Sequence, residues 1–120
     1  MPSLPATGTT YPPYELSGMT GTNNNYDPAI FKNGSVHCIW NGYSDTEFSP
    51  VGIVADNTYV YGLVIASEVY LFRCPVGGGT ATLVFRSAGS TNNGLGSNST
   101  AIYWSVTNGS GSTQFYRLVK

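Results

Sequence analysis

Residues 58–74 read TYVYGLVIASEVYLFRC, and the fold class follows from them. Over 58–65 the chain alternates, placing Tyr59, Tyr61, Leu63 and Ile65 on one face of an extended segment. Gly62 falls on the opposite face, where a missing side chain signals a bulge or a close approach. Only Ala66 and Ser67 separate this run from a second one, 68–74, so the two predict a tight antiparallel hairpin.

Working outward, the same pattern recurs. Residues 35–41 place Val36, Cys38 and Trp40 on one face and His37 and Ile39 on the other. A short apolar run, 51–55, starts after Pro50, and 80–86 follows the Gly77-Gly78-Gly79 turn. The last two segments, 100–107 and Thr113–Val119, are joined by a Gly/Ser loop. If Thr107 faces Thr113, Trp104 lies opposite Tyr116 and Ile102 opposite Leu118. The other face then pairs Tyr103 with Arg117 and Ser105 with Phe115. Such cross-strand pairs contribute roughly 0.2–1 kcal/mol each. Seven short strands without helical spacing predict an all-β domain, a small antiparallel β-sandwich or barrel. Residues 87–99 (SAGSTNNGLGSNS) form a long low-complexity loop, either mobile or clasped by a partner.

The first thirty residues differ from the rest. Five of the seven prolines fall there, with an Asn23-Asn24-Asn25 run. Proline fixes φ and removes a donor, so this segment is expected to be an extended N-terminal arm (1–30) ahead of a single β domain (31–120). Leu4, Tyr11, Tyr14, Leu16 and Met19 are spaced along it. They suit an arm that orders on another surface; a disordered tail is the plainer alternative. Tyr11-Pro12-Pro13-Tyr14 is PPII-like and could dock in an aromatic groove.

Composition narrows the function. The chain has 120 residues, 9% of them charged, with formal net charge −1. Ser, Thr, Asn and Gly supply 51 of the 120, so the exterior is expected to consist of hydroxyls, amides and backbone. Without clustered Lys/Arg there is no electrostatic case for nucleic acid or an anionic membrane. The N-terminus lacks the basic start and apolar run of a secretory signal, and no apolar run is long enough to span a bilayer. The expectation is therefore a chain made and folded in the cytosol, with Cys38 and Cys74 as reduced thiols; a disulfide is possible but not implied.

Catalytic signals are few. His37 and Cys38 are neighbours on a strand, so their side chains point to opposite faces and do not form a nucleophile–base pair. Three Cys and His in all are too few for a structural zinc, and no cofactor is expected. Asp45 and Glu47 sit in a polar loop without the oxygen count of a calcium site. Asn33, Asn98 and Asn108 begin N-x-S/T triplets, read here as Asn-rich turns. Nine tyrosines are more than a core of this size is expected to need, which points to a binding surface for protein or sugar rather than an enzyme.

Residues 35–73 carry a resemblance. A strand leads to Trp40-Asn41-Gly42, an acidic loop with Asp45, then Val51-Gly52-Ile53-Val54-Ala55 and Asp56-Asn57-Thr58. This order, behind a Pro/Gly/Thr-rich arm, resembles the lambda-type head decoration (capsid cement) proteins of tailed bacteriophages. Asn41 stands where that pattern has Asp, and the loop 87–99 and last hairpin have no counterpart in it. The resemblance implies a non-enzymatic virion protein on the capsid surface, assembled in the host cytoplasm as a homotrimer that binds the major capsid protein. Its arm would add a strand to a capsid sheet, with Leu4, Pro5, Tyr11, Pro12, Pro13, Tyr14 and Leu16 as partner-binding residues. The alternative is a carbohydrate- or receptor-binding module, such as a tail-fibre tip, with Trp40 or surface tyrosines stacking on a glycan.

Overall fold

The computed structural model of the chain describes residues 10–20, 26–44, 47–91 and 94–120. Among these residues every regular element is a strand. In chain order they are β1 (Thr10–Tyr11), β2 (Tyr14–Thr20), β3 (Tyr26–Lys32), β4 (Ser35–Ile39), β5 (Ser49–Ala55) and β6 (Tyr59–Ile65). Then come β7 (Glu68–Pro75), β8 (Thr82–Ala88), β9 (Gly96–Ser97), β10 (Ala101–Thr107) and β11 (Thr113–Val119). They form three antiparallel sheets, ordered β1-β2-β3-β4, β5-β6-β7-β8 and β11-β10-β9.

The β5–β8 sheet lies between the other two, and the alternation quoted above is the reason. On β6, Val60 and Val64 turn toward the β1–β4 sheet, joined by Tyr70, Phe72 and Cys74 of β7. Tyr61 and Leu63 turn the other way, with Val69 and Leu71, onto Ile102, Trp104 and Val106 of β10. A strand buried on both faces must be apolar at consecutive positions, and β6 is. The domain is thus a three-layer sandwich. Its shortest dimension, 20 Å, matches two sheet-to-sheet spacings of about 10 Å.

Gly62 is the close approach its position suggested. A Cβ there would meet Phe72 Cε1 at 2.8 Å and Leu16 Cδ1 at 3.1 Å. The β6–β7 hairpin pairs Ile65 with Val69, and the β10–β11 register matches the sequence expectation at every position from Thr107↔Thr113 to Ala101↔Val119.

The expected boundary at residue 30 is not a boundary. It falls inside β3, which pairs with β2 on one side and β4 on the other. Residues 10–20 and 26–32 therefore belong to the domain's own sheet rather than to an arm. Pro28 is tolerated because it sits just past the last rung of the β3–β4 ladder, Ala29↔Ile39. Its carbonyl accepts from Trp40 N–H, and the Trp40 carbonyl, which Pro28 cannot serve, accepts instead from Tyr43 N–H. Proline content disguised an ordinary strand.

Two further expectations change. Cys38 on β4 and Cys74 on β7 form a disulfide that ties the first sheet to the middle one, with Cα atoms 6.7 Å apart. Both side chains point into the same core layer, so they are partners and not two separate thiols. The 87–99 stretch is held by its own chain. Ser90 exchanges two backbone hydrogen bonds with Thr107, β9 pairs with β10, and Leu95 is 1% exposed in the second core. Gly52 makes room for it: a Cβ there would lie 2.8 Å from Leu95 N.

Candidate functional site

The expected partner-binding residues separate into three groups. Leu4 and Pro5 lie outside the described residues. Tyr14 and Leu16 are 8% and 1% exposed in the first core, so neither can anchor a partner while the domain is folded. Alternate residues of a strand share a face, and that face here is the inner one. Tyr11, Pro12 and Pro13 remain exposed, at the turn between β1 and β2. The turn closes with Tyr11 opposite Tyr14 in an antiparallel pair, so the segment reverses direction instead of running on as a polyproline helix.

The chemically versatile side chains are engaged in structure. The His37 Nε2–H donates to the Pro75 carbonyl at 3.0 Å, and its ring packs edge-on to Tyr14. Asp56 Oδ1 accepts from Thr58 and Tyr59 N–H, which shapes the β5–β6 turn. Asn98 Oδ1 accepts from Thr100 N–H, Thr100 Oγ1 and Ala101 N–H, while Asn98 Nδ2 donates to Tyr103 Oη. Asn108 holds the β10–β11 loop in the same way, accepting from Ser110 and Ser112. These two triplets are turn formers, as read from the sequence. Among the described residues no three metal-ligating side chains converge.

Charged groups follow the same rule. Arg86 pairs with Glu68, Arg73 lies 4.0 Å over the Tyr59 ring, and Lys32 sits 5.8 Å from the Tyr14 ring. Lys120 donates to the Asn98 carbonyl and lies 3.7 Å from Asp56. Arg117 alone among the five cations has no such partner among the described residues. Asp27 is 1% exposed, with Oδ1 unpartnered among the described residues, and burial pushes its carboxyl above the ordinary aspartate value.

A hollow of about 260 Å³ opens between Trp40, Tyr43, Tyr70 and the Glu68–Arg86 pair. It does not supply the stacking platform expected of Trp40. That indole is 6% exposed, is stacked on Phe72 and folds over Gly42. The Arg86 guanidinium sits 5.5 Å from the Tyr70 ring centre, over its face. Four tyrosines (Tyr14, Tyr43, Tyr61 and Tyr70) are core residues, so the aromatic surplus is partly a core requirement that composition could not separate from a surface one.

Among the described residues the exposed large apolar side chains lie at the two outer sheets: Tyr11 (38%) on β1, Val36 (49%) on β4, and Phe115 (74%) and Val119 (65%) on β11. β11 escaped the site expectation because its alternation reads equally well as a two-sided core strand. Compared with protein-family models, curated proteins and solved structures, the chain matches none.

Proposed function

We propose that this chain is a non-catalytic structural protein of a virion, a capsid decoration protein that acts by surface docking. The observation that carries this reading is the exposed Tyr11-Pro12-Pro13 turn, which presents an aromatic ring and two prolines at the edge of the first sheet. Rigid, uncharged side chains of this kind lose little entropy on docking. The low charge fits as well, because ions buried in an assembly lose hydration. The Cys38–Cys74 disulfide suits a protein that works outside the reducing cytosol, as virion surfaces do. The capsid as the particular partner rests on the resemblance carried by residues 35–73.

A glycan-binding reading has less support. Trp40 is buried, and the exposed aromatics Tyr11 and Phe115 lie on different outer sheets and cannot share one sugar. The test is co-sedimentation with tailed-phage capsid shells carrying the major capsid protein of the same virus. The full chain should bind, and a variant with Tyr11→Ser and Pro12→Ser should bind at least about tenfold more weakly while staying folded. A full chain that stays in the supernatant overturns the reading.

A further inference from the structure

The backbone of β11 has an unanswered question: where do its outward hydrogen-bonding groups go? The Asn108 N–H donates to the Ser112 carbonyl and the Lys120 N–H to the Thr100 carbonyl. In an antiparallel ladder bonded rungs alternate, so the even-numbered residues of β11 bond to β10. Thr113, Phe115, Arg117 and Val119 therefore aim their N–H and C=O groups away from it, and among the described residues β11 ends its sheet. The same four residues carry their side chains on the outer face, which is why Phe115 and Val119 are exposed.

Among the described residues the other five sheet edges are blunted. β1 and β9 are two residues long. β4 is bulged at His37, β5 at Val51 next to Pro50, and β8 at Val84, each an extra residue at a register shift. Short length, bulges and proline are the devices that keep edges from pairing. β11 has none of them: seven residues, unbroken register, no proline, one charge.

We propose that β11 is a self-association edge, in which two copies pair β11 with β11 antiparallel about a twofold axis at Tyr116. The two three-stranded sheets become one of six strands. In this register Phe115 lies opposite Arg117 of the partner copy, and Thr113 opposite the partner copy's Val119, each twice. The outward groups of these residues then bond to one another. Arg117, the cation without a partner among the described residues, gains an aromatic one, and no like charges face each other. Shifting the axis to Arg117 would oppose the two guanidinium groups. A twofold contact also uses up both β11 edges, so association through this edge stops at two, in place of the homotrimer that the resemblance implies.

Light scattering and sedimentation of the full chain test this. The expected mass is twice the 12.8 kDa of one chain, falling to 12.8 kDa on dilution. Arg117→Pro removes an N–H that points away from β10, so the variant should keep its β-sheet circular dichroism and run as a monomer. The register has its own readout. Phe115→Cys combined with Arg117→Cys should form an intermolecular disulfide under mild oxidation, and neither single change should. A monomer at about 100 µM, a dimer unaffected by Arg117→Pro, a threefold mass, or cross-linking by either single variant would each overturn the proposal. Because these tests need no capsid, their failure is separate from failure of the docking reading.

Discussion

Gly62 and Asp27 show how much a single position can carry. Gly62→Ala would press a methyl group onto Phe72 and Leu16 across the first core layer. Both neighbours are buried and cannot swing away, so the variant should be about 1–3 kcal/mol less stable, measured as a lower urea midpoint. Asp27 acts through solvation. Its carboxyl is buried, with the folded value raised above 3.8. A carboxyl that holds its proton more tightly when folded contributes its full stability below 3.8 and loses it as pH rises through the raised value. Asp27→Asn cannot ionise, so the stability difference between variant and wild type should grow in the variant's favour from pH 4 to pH 7. Urea titrations at the two pH values check the sign; a constant difference would show that Asp27 stays solvated.

At the scale of elements, the strands with clean alternation were legible and those with proline were not. β10 and β11 could be registered from sequence because only one pairing puts Trp104 on Tyr116 and Ile102 on Leu118. β2 and β3 were hidden: Gly18 and Pro28 are poor strand residues by local preference, yet they face each other in the ladder. Burial of Leu16 and Ile30 in the first core outweighs that preference, since each such side chain contributes about 1.5–3 kcal/mol. The 87–99 stretch had a signal in its lone Leu95, an apolar residue amid Gly, Ser and Asn. Leu95→Ala should cost about 2–5 kcal/mol and speed amide exchange at Ser90 and Gly96, where the connection is pinned to β10. Retained protection there would mean the backbone bonds hold the segment without Leu95.

For the whole molecule, the decisive feature is that one sheet serves two cores. The disulfide crosses the first of them and closes a loop of 36 residues in sequence separation. On chain-entropy grounds it is worth about 3–4 kcal/mol. Cys38→Ala with Cys74→Ala should therefore lower the unfolding midpoint, and dithiothreitol should lower the wild-type midpoint to a similar degree while leaving the double variant unchanged. The layered arrangement also limits truncation. Removing residues 1–25 would take away β1 and β2 and with them Tyr14 and Leu16, uncovering the first core. That fragment should lose cooperative unfolding by near-UV circular dichroism, whereas the Tyr11→Ser, Pro12→Ser variant should retain it.

By itself the sequence determined the all-β class, the central hairpin, the last hairpin's register and the poverty of catalytic groups. These depend on alternation and composition, which are local or countable. Tertiary structure alone decided that residues 10–20 and 26–32 complete a sheet, that Cys38 meets Cys74, that Trp40 is buried and that β11 is left as the open edge. Each depends on what lies across a layer or beside a strand. A side chain's period of two tells which residues share a face, and only packing tells whether that face meets another sheet or water.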